Sequence, residues 1–104
     1  MKKETISIPG WSKVKRNAPG SSWEYSSTRK WLFATPYGNT DVVAVLGCSH
    51  ASPVLSMTSV HIEITADGYK PGSGTAVSWD AGALEVEKII QSFVGKSYWR
   101  EIKS

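Results

Sequence analysis

Cys48-Ser49-His50, followed by His61, is where the single thiol and both imidazoles of this chain come near one another. Nucleophilic catalysis would need the thiol activated by an imidazole within hydrogen-bond reach, and a metal centre would need at least three ligands in suitable geometry. Cys48 ends the apolar run DVVAVLG, where a thiol behaves as a small buried hydrophobe, and His61 falls on the polar side of an alternating strand. A small Cys/His enzyme is therefore the minor reading, with Cys48→Ser as its test. The expectation is a protein without catalytic residues, metal or cofactor.

Two other patterns lead to the same place. Glu63 shares a strand face with His61, but no second carboxylate stands where acid/base chemistry would need it. Gly72-Ser73-Gly74-Thr75 resembles part of a phosphate-cradling loop, yet it lacks the Gly-Lys-Ser/Thr ending and leads into a strand. Without a helix N-terminus the physical cause of anion binding is missing.

The aromatic residues are more informative. Five tryptophans in 104 residues is several times ordinary usage. Each would bury on the order of 200 Å², or about 5 kcal/mol at ~25 cal/mol/Å², so the chain cannot leave them all in water. Trp31, within WLF, and Trp79, beside Val77, read as core. Trp11 and Trp23 stand among polar and cationic residues and read as candidates to face outward. The candidate partner-binding set is Trp11, Lys13, Lys15, Arg16, Trp23, Tyr25, Arg29 and Lys30.

Charge is segregated along the chain. Residues 1–40 hold seven Lys/Arg against two acids, residues 41–87 one against six, and residues 88–104 four against one. Blocks of both signs suit an encounter with another protein, and a middle block of net −5 would repel a polyanion unless it faced away. The favoured reading is a non-catalytic interaction module, an inhibitor or adaptor that binds a larger protein through an exposed Trp/basic surface. Small proteins of this kind, including those carried by phages or mobile elements, share its size and lack of motifs. The alternative is a nucleic-acid-binding domain in which single-strand bases stack on Trp11 or Trp23 while the cations neutralise phosphates.

The length predicts a single domain, residues 1–104, with a mobile basic loop at about 10–22. One cysteine cannot form an intramolecular disulfide, which suits a reducing compartment, and MKKETISIPG has no apolar run behind its lysines, so the expected location is cytoplasmic. No membrane partner is expected.

The elements that must position these residues follow from pattern. TISIP alternates as a short first strand. SWEYSS and RKWLFAT read as two strands separated by polar residues. PYGNT supplies a turn before DVVAVLG, a central strand, and VLSMTSVHIEIT has Val60, Ile62 and Ile64 on one face. ADGYKPGSG reads as a hairpin tip, and TAVSW as a last strand with Thr75, Val77 and Trp79 on one face. A helix over about 81–94 is predicted, N-capped by Asp80 and ended by Gly95, with a core stripe that excludes Leu84. The fold class is α+β: a mostly antiparallel sheet of five or six strands with this C-terminal helix on one face.

Overall fold

A computed structural model describes residues 6–49, 59–66, 68–97 and 99–102. The fold is α+β, an antiparallel sheet with one helix packed on it. The elements are β1 (Lys15–Arg16), β2 (Tyr25–Thr35), β3 (Gly38–Cys48), β4 (Val60–Ala66), β5 (Tyr69–Ala76), α1 (Trp79–Ser97) and β6 (Arg100–Glu101). Strand order is β1-β2-β3-β4-β5, with β6 also pairing with β2.

β2 and β3 form the long hairpin, closed by the pair Thr35↔Gly38 around Pro36-Tyr37. Gly38 has φ +124°, a conformation that side-chain-bearing residues rarely adopt. Thr35 Oγ1 accepts from the Tyr37 N–H and donates to the Gly38 carbonyl, tying the turn internally. β4 alternates buried and exposed residues along its whole length, as the period-2 pattern predicts.

That alternation defines two sheet faces. Trp31, Phe33, Val42, Ala44, Leu46, Val60, Ile62 and Ile64 are buried on the first, together with Ala83, Val86 and Ile90 of α1. The helix approaches closely because Gly82 sits against Leu46 and Val60, and because Gly72 of β5 leaves room for Ile89. Leu84 lies outside the stripe and is exposed. Arg29 on this face pairs with Glu87 of α1, and its guanidinium carbon lies 4.6 Å from the Trp31 ring centroid. Among the described residues, the second face carries no helix.

Several local expectations are corrected. SWEYSS and RKWLFAT contribute to one continuous strand, β2. Its central Ser/Thr cluster does not break it, because Ser26 and Ser27 are buried with their hydroxyls satisfied: Asn17 donates to Ser26, and Ser27 donates to the Ser12 carbonyl. YKPGSGTA is strand β5 rather than a hairpin tip, as Pro71 is tolerated on an edge strand. TAVSW is not a last strand: β5 ends at Ala76, Val77 is exposed, and Trp79 is buried from the helix.

The helix runs over 79–97 rather than 81–94. Its N-cap is Ser78, whose Oγ accepts from the Ala81 N–H at 3.1 Å. Asp80 instead accepts from the Ser7 backbone N–H and hydroxyl at 2.9 and 2.7 Å, anchoring the N-terminal segment at the helix start. Gly95 lies inside the helix, without positive φ.

Ile6 and Ile8 pack on the core without forming a strand, and Thr5 lies outside the described residues. The segment expected to be a loop over 10–22 contains β1, and Ser12 N and Asn17 N donate to the Thr28 and Glu24 carbonyls. Together with β6 and the bond from Ile102 N to the Leu32 carbonyl, it covers parts of the outer edge of β2. No helix among the described residues is long and apolar enough to cross a membrane.

Candidate functional site

The structure divides the eight sequence-predicted residues between two sides of the sheet. Arg29, like Trp31, belongs to the helix-covered side, and so does Tyr25, half-buried against the core. Trp11 packs edge-on against Trp31, with centroids 6.3 Å apart and planes at 87°. Its Nε1 is buried with no hydrogen-bond partner among the described residues. Trp11 is therefore mostly a wall of the core. Arg16 pairs in register with Tyr25 and makes an exposed ion pair with Glu24 at 3.3 Å.

Trp23, Lys15 and Lys30 belong to the uncovered face. The β-ladder fixes its rungs: Ser26, Gly47, His61 and Thr75 share one, Thr28, Val45, Glu63 and Ser73 the next, and Lys30, Val43 and Thr65 a third. Lys15 joins the first rung opposite Ser26. Lys13 is exposed, next to the buried Val14.

Trp23 precedes β2 and folds back over this face. Gly47 makes that possible: a Cβ there would stand 2.2 Å from the Trp23 Cγ and Cδ1, so only glycine leaves a seat for the ring. The indole stacks on the imidazole of His61, with centroids 4.4 Å apart and planes at 24°. Asn17 Nδ2 donates to the Trp23 carbonyl at 2.8 Å and holds the backbone. The result is an aromatic pair, Trp23 half-buried and His61 exposed, at one end of the face. Beyond it lie the half-buried Val43 and Val45 and, farther out, the exposed Leu32.

The charges around this surface are mixed. Lys15, Lys30 and Arg100 stand on the same face as Asp41 and Glu63, with His61 on the end rung beside Lys15. Arg29, expected to contribute a cation, is held by Glu87 on the opposite side. The basic stretch of the sequence thus does not become one basic patch.

Sequence reasoning passed over the Trp23–His61 stack and its seat. The available signal was Gly47 itself, a glycine in a run of β-formers, which often marks close approach of another group. Cys48 and His61 also part company. The thiol is buried on the helix side and the imidazole lies on the uncovered face, so these two do not form a nucleophile–base pair. His50 lies outside the described residues. Among the described residues, no group of three His, Cys, Asp or Glu could hold a metal ion.

Comparison with protein-family models, with curated proteins and with solved structures finds no match to this chain.

Proposed function

We propose that the chain is a non-catalytic interaction module that docks a larger protein, in the manner of an inhibitor or adaptor, through the uncovered sheet face around Trp23. The observation that carries the reading is the seat of Trp23. An indole held over Gly47 and stacked on His61 is a pre-ordered aromatic anchor, and aromatic anchors next to half-buried aliphatic groups supply most of the energy at protein interfaces. Because the ring is already positioned, little rotamer entropy remains to be lost on binding.

The charges favour protein over nucleic acid. Lys15, Lys30 and Arg100 on the face are accompanied by Asp41 and Glu63, which suits a partner surface of mixed sign more than a phosphate backbone. Lys15 and Lys30 would steer the encounter, and Trp23 with Val43 and Val45 would form its dry centre.

The test is recovery of bound partners from the source cell, with and without nuclease, at low and moderate salt. Wild type is compared with Lys30→Glu and Thr65→Lys, which change exposed side chains on the face without touching the core. A discrete protein retained after nuclease and lost in both variants is the expected result. Loss on nuclease treatment would replace the reading with nucleic-acid binding, and retention by both variants would move the interface elsewhere.

A further inference from the structure

A concavity lies at the end of the sheet opposite Trp23, where the β2–β3 turn meets β5, α1 and Trp99. Its volume is about 440 Å³, and its lining includes Tyr37, Asn39, Thr40, Tyr69, Phe93 and Trp99. That size falls in the range of small-ligand sites, roughly 300–1,000 Å³. We infer that this cavity is a binding site for a neutral saccharide of one or two pyranose rings. The inference is independent of the protein-docking face.

Three features select this ligand. The first is the aromatic corner. Trp99 meets Tyr69 at 79° and Phe93 at 86°, with centroids 6.3 and 4.7 Å away, and Phe33 backs it at 6.0 Å. Trp99 is thereby locked in place, with Tyr69 58% exposed beside it. Tyr37 stands at the mouth, 97% exposed on a turn tied by Thr35. Aromatic faces carry negative charge density and pair with the C–H faces of a sugar ring, which carry slight positive charge.

The second feature is the neutral polar edge. No Lys, Arg, Asp or Glu lines the cavity among the described residues. The Asn39 amide, the Thr40 hydroxyl, the Tyr69 hydroxyl and the Trp99 indole N–H form no hydrogen bond with another described residue. Together they offer both donors and acceptors, which matches hydroxyl groups that need both. A charged ligand would find no counter-charge among these described lining residues.

The third feature is the convergence of the lining on a half-open concavity. Four separate parts of the chain wall the site: the β2–β3 hairpin, the start of β5, α1 and the segment after it. Such a pocket holds a compact ring. A proline-rich peptide, the other ligand that aromatic surfaces recognise, runs as an extended helix along an open groove.

The experiment is a printed array of neutral, sialylated and sulfated glycans probed with the labelled full chain, followed by NMR titration of the strongest glycan and, separately, of decaproline. The variants are Tyr37→Ala and Tyr69→Ala, whose side chains are exposed, with Lys30→Glu as the remote control and the amide spectrum as the check on folding. A neutral glycan should shift the Trp99 indole and Asn39 side-chain signals. Affinity should fall about tenfold in each tyrosine variant and stay unchanged in Lys30→Glu. Absence of glycan binding, preference for charged glycans, binding indifferent to both tyrosines, or shifts at Trp99 with decaproline alone would overturn the inference.

Discussion

Gly47→Ala should expose the link between the sheet and its aromatic anchor through a change of sign. A methyl group at this position would stand 2.2 Å from the Trp23 ring, which must leave its seat. Departure loses the stack on His61, about 0.5–1.5 kcal/mol. It also re-exposes one indole face, about 100 Å² or ~2.5 kcal/mol. Against this, alanine in a strand interior is favoured over glycine by roughly 0.5–1 kcal/mol. Gly47 has no positive φ that alanine would strain. The net effect should be destabilisation by about 2–3 kcal/mol in the native background. In a Trp23→Ala background the same substitution should stabilise by about 0.5–1 kcal/mol, because only the backbone preference remains. Urea unfolding of the four proteins measures both values. Destabilisation by Gly47→Ala of equal size in the two backgrounds would refute the proposed seat.

Three further outcomes are expected from the same assay. Trp31→Ala should cost about 3–5 kcal/mol, since Trp31 is 5% exposed and supports both Trp11 and Arg29. Ser78→Ala should cost about 1 kcal/mol as a lost N-cap, whereas Asp80→Ala should act through Ser7 and be only partly suppressed in a Ser7→Ala background, which removes the hydroxyl bond but keeps the backbone N–H bond. Gly95→Ala should stabilise by up to about 1 kcal/mol, because the site is helical, exposed and open around a new Cβ; destabilisation would restore the capping role.

Residues whose role depends on local pattern were legible in the sequence. The alternation of Val60, Ile62 and Ile64 and the stripe of Ala83, Val86 and Ile90 are periodicities that burial must satisfy, and they locate β4 and α1 on one core. Residues whose role depends on distant partners were not. Ser26 and Ser27 resemble a break until Ser12 and Asn17 are seen to satisfy their hydroxyls. Gly72 and Gly74 resemble a flexible tip until β4 pairs with them and Ile89 fills the space above Gly72. Gly95 resembles a cap, but α1 continues past it to Ser97.

The candidate site shows the same division. Trp31 could be assigned inward from WLF, because its neighbours share the strand. Trp11 and Trp23 could not be told apart. Both stand in polar sequence, and only the wrapping of the N-terminal segment around β2 sends one to the core edge and the other to the uncovered face. The basic stretch was likewise split by strand alternation, which turns Arg29 toward Glu87 and Lys30 away from it.

Photo-crosslinking is the most direct test of protein docking through the Trp23 face. Benzoylphenylalanine is placed singly at Val43 or Thr65 on that face, and at Leu84 on the exposed side of α1, and irradiated in the source cell. A discrete, nuclease-resistant adduct at Val43 and Thr65 but not at Leu84 is predicted. Adducts that vanish with nuclease, or that form equally at Leu84, would contradict it.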